Sequence, residues 1–144
     1  MHTPSPVTVH VKRHFAASPE RVFDAWLDPD SAGQWLFATV SGRMVRVDID
    51  ARIGGKFVFV DLRGDEEVGH AGEYLAIERP RHLAFTFVVD KYSSDSTRVT
   101  VDIAPAEGGC ELSLSHEGVY PDYASRTEAG WRGILDGLAT TLGV

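Results

Sequence analysis

Six histidines and a set of carboxylates are the side chains of this sequence best suited to chemistry, and their spacing decides what they can do. His10 and His14 stand four residues apart in a segment where apolar and polar residues alternate. A strand would separate them by about 13 Å, too far to share one metal ion. His70, His82 and His116 fall in three separate strand-like segments, so convergence stays open, yet no chelating spacing is present and no metal is expected. His70 with Asp61, Glu73 or Tyr74 is the one grouping suited to acid–base work, and its plainer role is that of a hydrogen-bonded polar residue in a sheet. The chain has no Gly-x-Ser-x-Gly elbow, no phosphate-cradling loop and no dinucleotide fingerprint, so neither a nucleophile nor a cofactor is expected. Asp50 and Arg52, two apart and therefore on one face of a strand, suit a surface ion pair beside the Gly54-Gly55 turn. The functional alternative sets Arg52 at a cavity mouth, facing a ligand carboxylate.

Composition narrows the partners. Twenty-one acidic residues against fourteen Lys and Arg leave a net charge of −7, which opposes the phosphate neutralisation that supplies most nucleic-acid affinity. No segment approaches the ~18 apolar residues of a membrane span, and Met1 to Pro6 lack the basic start and apolar run of a secretory signal. No nucleic acid and no membrane are therefore expected as partners, and the expected location is the cytoplasm. The lone Cys110 excludes an internal disulfide and fits a reducing compartment. A chain of 144 residues suits one domain over 1–144, long enough to bury about two-thirds of its unfolded surface.

The positioning elements follow from periodicity. Val7, Val9 and Val11 alternate with polar residues and predict a strand to about Phe15. Ser18-Pro19 then starts a helix whose apolar face holds Val22, Phe23, Trp26 and Leu27; Asp28-Pro29 stops it, and a second short helix runs to Trp35. From there to His116 the pattern is strand and turn: Val45, Val47 and Ile49 on one face, Lys56 to Leu62, Val68 to Glu78, His82 to Val89, Thr97 to Ala104 and Cys110 to His116. A last helix is predicted from Ser125, where Ser125 and Glu128 have capping-box spacing, with Trp131, Ile134, Leu135, Leu138 and Leu142 as its stripe. Gly130, Gly133 and Gly137 share a flank of that helix, which implies either a close neighbour, strand or second subunit, or an exposed face.

The order of these elements and their local motifs resemble the START-like, helix-grip superfamily, in the branch similar to activators of the heat-shock-protein-90 ATPase. The residues that carry the likeness are Ser18 to Phe23 with Trp26 and Gln34-Trp35; Asp50, Arg52, Gly54, Gly55 and Phe57; Gly72-Glu73-Tyr74; Arg79-Pro80 with Leu83, Phe85 and Thr86; and Gly130-Trp131 with Leu135 and Leu138. The resemblance implies an α+β fold in which a curved antiparallel sheet of about seven strands wraps a long C-terminal helix, with two short helices after the first strand. It also implies an internal cavity between sheet and helix, for which Trp26, Trp35, Phe37, Phe57, Phe59, Asp61, His70, Tyr74, Phe85, Phe87, Trp131 and Leu135 are the lining candidates. Such a lining suits a hydrophobic or aromatic small molecule, whereas a dry, filled core is the ordinary fate of so many rings. The segments Asp90 to Ser96 and Val119 to Ala124 lie where they would gate that cavity.

The resulting expectation is a ligand-binding protein without catalysis. The alternatives are a cyclase-like or hydrolytic enzyme centred on His70 and a protein-binding module that contacts a chaperone; a homodimer is also admitted. One departure from the branch is expected to reshape the cavity mouth: after Trp35 the chain reads Leu36-Phe37-Ala38-Thr39-Val40-Ser41-Gly42 where relatives carry a second aromatic residue and a Gly-Pro pair.

Overall fold

Period-two alternation becomes strand and the Ser-Pro start becomes helix over most of the chain. A computed structural model describes residues 5–37, 42–89 and 96–144. Strand β1 (Val7–Phe15) is followed by helices α1 (Pro19–Leu27) and α2 (Pro29–Trp35). Then come β2 (Arg43–Ile49), β3 (Lys56–Arg63), β4 (Glu66–Glu78), β5 (His82–Val89), β6 (Thr97–Ala106) and β7 (Gly109–Val119). A 3-10 turn (Pro121–Tyr123) leads into α3 (Ala124–Leu142). The strands form one antiparallel sheet in the order β1-β7-β6-β5-β4-β3-β2, and α3 lies in its concave face.

The two short helices are set by their caps. Ser18 has extended backbone and its hydroxyl accepts the Arg21 N–H at 3.2 Å, satisfying one of the orphan donors at the start of α1. Asp28 ends α1 and starts α2, accepting the Asp30 N–H at 3.1 Å. Arg79, in the β4–β5 turn, grips Asp24 of α1 with both prongs of its fork, Nε at 2.8 Å and Nη2 at 2.9 Å. Hydrogen bonding from Arg79 holds the Asp24 carboxyl below its ordinary range, against a smaller opposing effect of burial. The tight β2–β3 corner depends on Gly55, where a Cβ would lie 2.1 Å from the Asp50 carbonyl oxygen.

Helix α3 is fastened at three places. Trp131 donates to His116 from within the core, Arg13 of β1 pairs with Asp136, and Arg21 of α1 donates to the Leu142 carbonyl at 2.9 Å. Val22, Phe23, Trp26, Trp131, Leu135 and Leu138 are all buried between the helices and the sheet. No helix among the described residues is long and apolar enough to cross a membrane.

Three local readings are corrected. In β2 a register shift between Met44 and Arg46 turns Val45 out to 43% exposure, while Met44 packs against the core in its place. An added residue in one strand reverses the alternation beyond it, which period-two counting cannot foresee. Ser125 does not cap α3. Pro121 starts helical geometry early, Tyr123 already has helical backbone at the cap position, and no side chain caps the helix there.

The glycine flank of α3 also splits. A Cβ at Gly137 would sit 3.5 Å from the Trp35 Cβ, whereas at Gly130 and Gly133 it would meet nothing within 4 Å. Gly133→Leu should therefore raise stability by up to ~1 kcal/mol through helix propensity. Gly137→Leu, whose branched end must enter the space held by Trp35, should lower it by about 1–3 kcal/mol. Urea midpoints of opposite sign relative to the parent are the expected result, and equal shifts would contradict this placement of α3.

Candidate functional site

Ring packing decides how much space the grip leaves. Trp26, Phe37, Phe57, Phe59, Tyr74 and Phe85, with Leu36 and Leu83, surround a void of only about 10 Å³. That is the room of a single water. The expected internal cavity between sheet and C-terminal helix is thus closed along most of its length, and the rings meet one another. Trp26 abuts Trp35 edge-on at 4.8 Å, and Phe57 meets Phe85 at 5.3 Å and Tyr74 at 5.4 Å. Burial, with the Asp50 charge as a smaller cause, pushes the Tyr74 hydroxyl well above its ordinary pKa, so it stays protonated.

Open volume lies at one end of the grip. A cleft of about 330 Å³ is lined by Phe37, Arg63, His70, Phe87, His116 and Trp131, together with Val89, Thr127, Gly130 and Ile134. It adjoins a lobe of about 210 Å³ that shares Phe87, Val89, His116 and Thr127 and adds Val119, Tyr120 and Tyr123. The second expected gating segment, Val119 to Ala124, therefore contributes its two tyrosines to the lobe and none to the cleft itself. The first, Asp90 to Ser96, lies outside the described residues except for Ser96, which lines the lobe.

Of the twelve lining candidates, the structure gathers nine around the void or the cleft. Trp35 packs behind Trp26 and against Gly137, and Leu135 is fully buried in the core. Asp61 also lines neither space: its carboxylate has no exposure and accepts the Arg63 Nε at 2.9 Å, so it acts on the cleft through Arg63. Arg52 lies at the far β2–β3 corner, 77% exposed and paired with Asp50 at 2.8 Å, which fits a surface pair and not a ligand contact.

His116 has a defined protonation state. The Trp131 indole donates to His116 Nδ1 at 3.0 Å, so Nδ1 bears no proton. The Thr97 hydroxyl donates to the Phe87 carbonyl at 2.9 Å, so its oxygen accepts from His116 Nε2 at 2.7 Å. The assignment is a neutral imidazole with its proton on Nε2, both nitrogens engaged, in a chain that links α3 to β7, β6 and β5. Desolvation lowers the His116 pKa from 6.5 to about 4, in the same direction. His70, 5% exposed, stacks on Phe37, and its Nδ1 lies 3.4 Å from the Phe59 carbonyl.

Arg63 and the structural role of His116 were the residues that sequence reasoning missed, although a signal existed. The period of two that turns Phe57, Phe59 and Asp61 inward reaches Arg63 next, and Cys110, Leu112 and Leu114 lead in the same way to His116. A polar residue at the end of an inward row marks where the core gives way to an opening.

A single sheet gripping one long helix, with an aromatic core open at one end, defines the class as a START-like domain. The chain belongs to the family described as Activator of Hsp90 ATPase homolog 1-like protein, which it matches over residues 16–143. Among solved structures it is similar to a protein from Chromobacterium violaceum, at 28% identity and TM-score 0.85 over 94% of this chain and 96% of that one. A protein from Rhizobium loti is 26% identical with TM-score 0.81, over 97% and 99% of the two chains. An AHSA1-like protein from Aeromonas hydrophila, 24% identical over 95% and 92% of the chains with TM-score 0.80, shares the fold. No curated protein matches the chain.

Because His116 is held neutral, the unfolded chain takes up the proton first as pH falls. The stabilisation is complete above pH 6.5 and is lost as pH drops from there toward 4, amounting to about 3 kcal/mol at the acid end. His116→Gln, whose amide can accept from Trp131 and donate to Thr97, should flatten that part of the profile. Urea midpoints at several pH values between 7 and 4 measure it; parallel profiles for the two proteins would contradict the assignment.

Proposed function

We propose that this protein binds a flat, largely apolar small molecule in the cleft between α3 and strands β5 and β7, without transforming it. The observation that carries the reading is the open cleft of about 330 Å³, whose walls are the rings of Phe37, Phe87 and Trp131. A ligand laid against them gains about 25 cal/mol for each Å² of apolar surface it buries, and no reacting group is needed. Arg63 carries the one permanent charge among the described lining residues, which favours a ligand with an acceptor at that end.

Against the enzymatic alternative, His116 has both nitrogens committed to hydrogen bonds, and His70 lies flat under Phe37 with 5% exposure. A general base must reach the proton it removes, and neither ring is presented that way. The family description points to chaperone contact, but the described residues favour the cleft over any particular docking face.

Gly130 gives a clean test, because it lines the cleft and a Cβ there meets nothing within 4 Å. Gly130→Leu should keep or slightly raise stability while filling the cleft, and should weaken binding of the fluorescent probe 8-anilinonaphthalene-1-sulfonate at least tenfold. Arg52→Gln, at the far β2–β3 corner, should leave that binding within about threefold of the parent, a shift of less than ~1 kcal/mol. Undiminished probe binding in Gly130→Leu would place the apolar site elsewhere, and chemical turnover of a co-purifying ligand that vanishes in His70→Gln would favour the enzyme.

A further inference from the structure

Phe37 is the one non-glycine residue with positive φ among the described residues, at +60°, yet its ring is among the best buried, with 3% exposure. Residues with a Cβ avoid this backbone region, so the surroundings of the ring must hold it there. The ring lies flat over His70, 4.9 Å away and 6° from parallel, and over Phe87, 4.9 Å away and 12° from parallel. Phe57 is nearly parallel at 6.2 Å, while Phe59 at 5.3 Å and Trp131 at 6.0 Å close the sides edge-on. Phe37 lines both the small inner void and the open cleft, so this ring alone is common to the walls of the two spaces.

We propose that the place filled by the Phe37 ring is a binding position for one planar aromatic ring, and that Phe37 is a built-in occupant which the ligand displaces. The inference rests on the cleft being a ligand site and adds what the ligand is and what it must move. The rings of His70, Phe87 and Phe57 lie within 6°, 12° and 15° of parallel to Phe37, so whatever replaces Phe37 among them is flat and stacks. Phe37 belongs to no helix or strand, so its ring can leave while the sheet and all three helices stay intact. Its departure joins the inner void to the cleft, giving a ring-sized apolar space of the kind that takes up benzene-like molecules.

The polar groups around the position complete the ligand class. On the cleft side stands Arg63, whose Nε is held by the buried Asp61 and which offers its remaining guanidinium donors. On the void side stands Trp26, 1% exposed, whose indole N–H has no acceptor among the described residues. A buried donor of that kind is better satisfied when an acceptor is brought to it. The ligand is therefore an aromatic ring that carries a carboxylate or carbonyl oxygen.

Titration calorimetry with naphthalene-2-carboxylate separates displacement from simple lining. If Phe37 holds the ligand's place, Phe37→Ala and Phe37→Gly bind the probe at least tenfold more tightly than the parent, and Phe37→Gly does so without backbone conflict at φ +60°. If Phe37 is a wall of the site, both variants bind more weakly, which overturns the inference and leaves the cleft reading standing. No binding by parent or variants overturns both. Should the variants fail to fold, the parent decides by nuclear Overhauser contacts: at saturation, Phe37–His70 ring contacts give way to naphthalene–His70 contacts. Persistence of the Phe37–His70 contacts in the saturated complex overturns the proposal.

Discussion

One hydrogen-bond chain, from the Trp131 indole through His116 and Thr97 to the Phe87 carbonyl, fixes where the long helix lies on the sheet. Apolar packing of Leu135, Leu138 and Ala139 drives α3 onto the sheet, but apolar contact is non-directional and would tolerate sliding or rotation. The chain is directional, and it runs from a part-buried Thr97 to a buried Trp131–His116 bond, where an unmade bond leaves a desolvated donor or acceptor behind. The remaining fasteners, Arg13 to Asp136 and Arg21 to the Leu142 carbonyl, sit at the exposed rim, where such contacts contribute little. The cleft begins where this chain ends, because His116, Trp131 and Phe87 are also three of its walls. Its shape is thus tied to the protonation state of one imidazole.

The second constraint is aromatic. A sheet wrapped on a single helix leaves interior volume that something must fill, and here Phe57, Phe59, Tyr74, Phe85 and Trp26 fill the inner part almost to the last water. Phe37 extends that filling to the edge of the cleft from a position with unfavourable backbone geometry. A dense inner core and an open outer cleft divide the interior: the first is built from rings on strands and helices, and the second begins at a boundary that one non-regular residue closes. Family membership and fold do not by themselves determine function, which lies in the residues at such a boundary.

Much of this was legible in the residues. The strand and helix sequence, the Ser18 cap, the Asp28-Pro29 stop and the inward rows on β3 and β5 follow from period and turn chemistry, and the resemblance to the helix-grip superfamily supplied their arrangement. The β2 bulge was overlooked because Val45, Val47 and Ile49 alternate cleanly with Arg46 and Asp48, although the adjacent apolar pair Met44-Val45 breaks the period where the register shifts. The helix start was misplaced because Ser125 and Glu128 carry the spacing of a capping box, although Pro121 had already set the turn. The filling of the cavity was invisible for a different reason: nothing in the order Trp35-Leu36-Phe37 tells whether the last ring faces solvent, lines a space or occupies it. That depends on ring-to-ring distances across four elements, as does the partnership of His116 with Thr97 and Trp131.

The tautomer and titration of His116 decide whether this hydrogen-bond chain exists. Long-range proton–nitrogen correlation spectra of uniformly nitrogen-15-labelled protein report which imidazole nitrogen carries the proton as pH is lowered. His116 should hold its proton on Nε2, with Nδ1 as acceptor, from neutral pH down past 6.5, and become charged only near pH 4. A His116 that carries its proton on Nδ1, or that titrates at the ordinary 6.5, would contradict the hydrogen-bond chain and the placement of helix and cleft that depends on it.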